Sequence, residues 1–126
     1  MRLIVMRMRE VRLEVDAKTF RLNYVEMENA ILAFFFEDEM RLGTVAIAMP
    51  GTGEASVGRS SILVGGKYLV ASRALAERLA GRTAKIGLIS LSTELDEKEA
   101  LRIYVRLSDK ISTGLDDRKS NLDRVP

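Results

Sequence analysis

Cysteine is absent from the 126 residues, so no disulfide, thiol nucleophile or thiolate metal site is available. Histidine is absent too, which removes the commonest general base and metal ligand together. Glutamine is also missing, and arginine outnumbers lysine 14 to 6. Few thermolabile amides and many charges fit a heat-adapted source. Excess charge of one sign is scarce. Twenty Lys and Arg stand against 18 Asp and Glu, a net charge of +2. That balance argues against a strongly basic nucleic-acid footprint and against a disordered polyelectrolyte. No apolar run approaches the ~20 residues a membrane helix needs. The opening, MRLIVMRMREVRLEV, sets an apolar run among arginines, then continues into alternating Arg and Glu without a small-residue cleavage site. It reads poorly as a secretory signal, and a cytoplasmic protein is the expectation.

What is present is enough for one domain with a real core: 47% of the residues are hydrophobic. The first half reads as strands. Ile4, Met6 and Met8 alternate with other residues, then the apolar phase flips to Val11, Leu13 and Val15. A strand has a side-chain period of two, so the flip predicts a bulge or break near Arg9-Glu10. Asp16-Ala17-Lys18 reads as a tight turn. Phe20, Leu22 and Tyr24 make a second strand, and Met27-Glu28-Asn29 a second turn. Residues 31–36, Ile-Leu-Ala-Phe-Phe-Phe, are apolar on both sides, so both faces of that strand need cover. Residues 44–49 form another strand, ended by Pro50, and residues 60–64 a short fifth one, stopped by Gly65-Gly66.

The second half brings helices. Tyr68, Ala71, Ser72, Leu75 and Leu79 share one face of a helix over 67–80, with Gly81 placed for a left-handed cap. Residues 85–91 read as a sixth strand. Thr93 is the expected N-cap of a second helix, with Glu94, Asp96 and Glu97 in its first turn and Ala100, Ile103, Tyr104, Leu107 and Ile111 as its apolar stripe. Gly114 is the expected stop. Residues 1–113 therefore read as a single α+β domain and 114–126 as a polar tail. The expected architecture is an antiparallel sheet of about six strands with two helices on one face. Two helices cover one face only, which leaves the other to a second copy of the chain. Phe34, Phe35 and Phe36 are the expected dimer face.

No catalytic constellation emerges. Gly53-Glu54-Ala55-Ser56-Val57-Gly58-Arg59-Ser60 is one residue from a phosphate loop, with Arg59 where lysine belongs. A working loop leads into a helix whose N-terminus adds positive potential. Here an apolar strand pattern follows, Glu54 sits inside the supposed cradle, and arginine does not replace the compact lysine charge. The stretch reads instead as a loop between two strands. Glu37-Asp38-Glu39 reads as a solvated turn rather than a cation site, because a hard cation needs oxygens converging from spaced positions. Arg2, Arg7, Arg9 and Arg12 are interleaved with Glu10 and Glu14 and read as a solvated strand face. No cofactor, metal, nucleic acid or membrane partner is expected.

The segments ILAFFFEDEMRLGTVAIAMPG, RSSILVGG, ASRALAERLAGRT, AKIGLISLS and ALRIYVRLSDKI follow one another in an order that resembles the small proteasome assembly chaperones of the third and fourth type and their archaeal relatives. The likeness covers roughly residues 9–112. It implies a non-enzymatic α+β protein, a homodimer or paralogue heterodimer, that holds proteasome α-type subunits while the α-ring forms. The loop between the fourth and fifth strands varies in such proteins and could reach the partner. Here it holds Gly51, Thr52, Gly53, Glu54, Ala55, Ser56, Val57, Gly58 and Arg59. The chain ends Arg124-Val125-Pro126 and lacks the tyrosine that some proteasome-docking tails carry, so docking by tail insertion is not expected. The alternatives are a homodimeric interaction scaffold with another partner and a nucleotide-binding protein built on Gly53 to Ser60.

Overall fold

Strands β1 (Arg9–Val15) and β2 (Lys18–Glu26) form the first hairpin. Val11 and Leu13 on β1, with Phe20, Leu22 and Tyr24 on β2, turn to one side, while Glu10, Arg12, Arg21 and Asn23 turn to the other. Asp16 and Ala17 close the hairpin with φ of 51° and 64°, the backbone twist a two-residue connection requires. The chain is described by a computed structural model over residues 7–51 and 59–111. The ladder runs without a bulge from Arg9↔Tyr24 to Val15↔Lys18. The upstream half of the expected phase break, including Ile4 and Met6, lies outside the described residues.

Strands β3 (Ala30–Phe36), β4 (Thr44–Met49) and β5 (Arg59–Val64) follow, then α1 (Leu69–Thr83), β6 (Ile86–Leu91) and α2 (Glu97–Ser108). The six strands lie in the order β1-β2-β3-β6-β4-β5. This is the expected α+β class, but the sheet is mixed. The β3–β6 ladder is parallel and the other four are antiparallel. The cause is the connection. After α1 the chain enters the sheet between β3 and β4, in the direction of β3.

Both helices cover one face. α1 packs over β4, β5 and β6, and α2 over β2 and against α1. Beneath them lie Leu22, Ile31, Phe35, Ala46, Ala48, Ile89 and Leu91, each 0–1% exposed. Small residues set the spacing: a Cβ on Gly87 would stand 2.7 Å from the Ala76 carbonyl oxygen, so α1 rests almost directly on the β6 backbone. The expected stripe of α2 is borne out for Ala100, Ile103, Tyr104 and Leu107, all buried on the helix, while Ile111 is buried just past its end. Phe20 and Phe35 meet the Tyr104 ring edge-on at centroid distances of 5.9 and 5.5 Å. Such pairs add about 0.5–1.5 kcal/mol each beyond area burial.

The helix boundaries differ from the sequence expectation. α1 runs through Gly81 to Thr83, and the left-handed cap falls on Ala84 (φ 56°). Gly81 is thus interior. Thr83 Oγ1 donates to the Leu79 carbonyl, which ties down the last turn. α2 starts later than Thr93, because Asp96 is the residue whose side chain accepts from the Glu99 N–H, at 2.8 Å. Thr93 turns instead to Glu37. α2 ends at Ser108, and Gly114 lies outside the described residues.

Candidate protein-interaction surface

The sheet face away from the helices is divided. Over β1 and β2 it is charged. Glu10 sits between Arg12 (3.2 Å) and Arg21 (3.3 Å), bridging two neighbouring strands. The hydrogen bond from Arg12, with Arg21 beside it, holds the Glu10 carboxyl below its usual range. Over β3, β6 and β4 the same face is apolar. The pairing register Leu32↔Leu88↔Ile47 makes one row across three strands, and Ala30↔Ile86 and Ser90↔Val45 flank it. Phe34 stands opposite Ser90 on this face and is half-buried. At the β5 edge Leu63 and Val64 are 55% and 56% exposed, and Met49 on β4 is 49% exposed.

The three phenylalanines expected to act together are separated by the pleat. Phe34 faces outward. Phe35 is 0% exposed and packs on Tyr104, so it belongs to the core beneath the helices and not to the open face. Phe36, at the strand end, is 5% exposed. Of the nine loop residues proposed to reach a partner, Gly51 and Arg59 are exposed. Thr52 to Gly58 lie outside the described residues. Arg59 opens strand β5, so the stretch that mimics a phosphate loop leads into a strand, without the helix N-terminus that phosphate binding uses.

Two residues on the boundary of the apolar half carry no obvious sequence signal. Arg21 Nε and Asn23 Oδ1 are buried without a hydrogen-bond partner, on strand positions opposite Phe36 and Phe34. Buried polar atoms are nearly always paired. These two mark a seam where the charged and apolar halves meet. Alternation predicted that they face outward, but not that neighbouring strands would shield them.

The polar turn after β3 also differs from expectation. Glu37 is 8% exposed, accepting from Thr93 Oγ1 at 2.8 Å and from the Glu94 N–H at 3.3 Å. It ties the end of β3 to the loop before α2. Among the described residues no group of three or more acidic side chains is placed to hold a metal ion. No helix among them is long and apolar enough to cross a membrane.

No protein-family model matches the chain, and no curated protein sequence does. The fold, however, is shared with a solved structure. The chain is similar to a chain from the crystal structure of a novel chaperone complex for yeast 20S proteasome assembly, with a TM-score of 0.63 and 14% identity over 94% of this chain and 99% of that one. At that identity the likeness establishes a common fold over nearly the whole length of both chains.

Proposed function

We propose that the chain is a non-enzymatic assembly chaperone of the cytoplasm that binds proteasome α-type subunits and assists α-ring and core-particle assembly. The observation that carries this reading is the fold shared with a chain of the yeast chaperone complex over 94% of this sequence. The divided sheet face supports it. A half-apolar, half-charged face left open by two helices suits association, and its charged half fixes orientation. In this reading a second copy, or a paralogue, covers the apolar rows, and the loop from Gly51 to Arg59 contacts the α subunit.

Co-purification from the native cytosol, followed by mass spectrometry, is the test. Enrichment of α-type subunits, reproduced with purified components, is the expected outcome. If neither experiment captures an α subunit, the reading fails. The apolar face equally favours a homodimeric scaffold for a different partner; a dimer that ignores every α subunit would decide for that alternative.

A further inference from the structure

One end of the fold gathers loops 37–43, 65–68 and 92–96, because β3, β5 and β6 finish there and β4 begins there. Three shallow depressions adjoin on this end. The first and second share Arg41, Ser92 and Thr93 as walls, and the second and third share Gly66, Lys67 and Tyr68. The Tyr68 hydroxyl, donating toward the Thr93 and Leu95 carbonyls at 2.8 and 2.7 Å, locks the middle of this surface.

Acidic side chains outnumber basic ones here: Glu37, Asp38, Glu39, Glu94, Asp96 and Glu97 line the three depressions against Arg41 and Lys67. Asp38, Glu39 and Glu94 line the first depression and form no ion pair among the described residues. Elsewhere Glu10, Glu26, Glu99 and Asp109 each lie against an arginine or lysine. The end is also closed to anions. Glu97 accepts from the Val70 and Ala71 N–H groups at the start of α1, and Asp96 accepts from the Glu99 N–H at the start of α2. Carboxylates already occupy the positive ends of both helices. With no metal-binding group among the described residues, a basic side chain is the complementary charge that remains.

A further observation points outward. Beside the carboxylates lies exposed apolar surface: Leu42 is 72% exposed, Val70 67% and Leu69 44%.

We infer that this end is a docking surface for a basic segment of a partner protein. A lysine or arginine side chain enters between Asp38, Glu39 and Glu94, and a neighbouring apolar side chain lies on Leu42, Leu69 and Val70. The site is distinct from the open sheet face and from the loop at Gly51 to Arg59, and it does not depend on the partner being a proteasome subunit.

The experiment is selection of a random-peptide phage library on the immobilised full chain, followed by anisotropy titration of the enriched peptides. The expected peptides carry lysine or arginine next to Leu, Ile or Val. They bind the variant Asp38→Lys/Glu39→Lys/Glu94→Lys roughly tenfold or more weakly, with a steep loss in salt. Val70→Ser weakens them by a smaller factor, and Glu28→Lys, an exposed change at the opposite end, leaves them unaffected. Circular dichroism confirms that each variant is folded. Enrichment of acidic or neutral peptides, equal binding by the charge-reversed variant, or no enrichment at all would overturn the inference.

Discussion

Gly81 near the end of α1 and Gly87 near the start of β6 are close in sequence, yet their surroundings differ completely. A Cβ on Gly87 meets the Ala76 carbonyl at 2.7 Å and the Ala80 nitrogen at 3.2 Å, whereas nothing lies within 4 Å of one on Gly81. Gly87→Ala must push α1 off the sheet, and overpacking of this kind costs about 1–3 kcal/mol. Gly81→Ala lies inside a helix with free space, so it stabilises by about 0.5–1 kcal/mol. Urea denaturation of the two variants is expected to show opposite shifts in midpoint. Two shifts of the same sign would contradict this packing. Tyr104 gives a second residue-scale test. Burial pushes its phenol well above its ordinary value of 10.0. The unfolded chain releases this proton above pH 10, while the folded chain keeps it. Stability is therefore full below pH 10 and falls as pH rises, by up to about 1.4 kcal/mol per unit for this group. Tyr104→Phe removes both this alkaline loss and the unpaired hydroxyl. Unfolding followed from pH 8 to 11 is expected to show stability at pH 8 equal to or above that of the wild type and a shallower alkaline decline. An identical decline in both proteins would assign it to other groups.

At the scale of elements, α1 depends on its neighbour. It has no side-chain cap of its own and no acidic residue in its first turn, and its N-cap position is Tyr68 in a left-handed conformation. Glu97 of α2 supplies the missing acceptor, at 2.7 and 2.9 Å from the Val70 and Ala71 nitrogens. Loss of a cap costs about 0.5–2 kcal/mol. Glu97→Ala is expected to fall in the upper part of that range, since Ala71 is buried, and Glu97→Gln to cost less because an acceptor remains. Thermal unfolding of both checks the order. Periodicity was enough to find α2 and the four stripe residues it carries, Ala100, Ile103, Tyr104 and Leu107, because a helix face repeats in the sequence; Ile111 is buried just beyond its end. It missed the caps. Thr93 looked like an N-cap, but in the fold its hydroxyl is bonded to Glu37, which is distant in sequence. Local chemistry cannot show such competition.

For the whole molecule, the proposed dimer rests on the open sheet face. Ile47 forms the β4 end of the apolar row Leu32–Leu88–Ile47 and is half-buried in the single chain. A carboxylate there leaves the helix-covered core untouched but breaks the apolar continuity. Ile47→Asp is expected to convert the proposed dimer to a species of 14.1 kDa in light scattering, without loss of circular dichroism. A wild-type chain already of that mass at micromolar concentration would remove the dimer from the proposed function.

The sequence by itself determined the element types, most of the core and the apolar character of both sides of β3. Those properties follow from the period of apolar residues and from the backbone limits of Asp16-Ala17, Pro50 and the glycines, all of which are local. Only the tertiary structure decided that β6 enters between β3 and β4, making one parallel ladder. It also decided that Phe35 turns inward while Phe34 turns outward, and that Asp38, Glu39 and Glu94 gather beside Leu42, Leu69 and Val70. These are consequences of long-range pairing and of which face the helices occupy. A pattern of period two fixes that neighbours lie on opposite faces, but not which face the rest of the chain will cover.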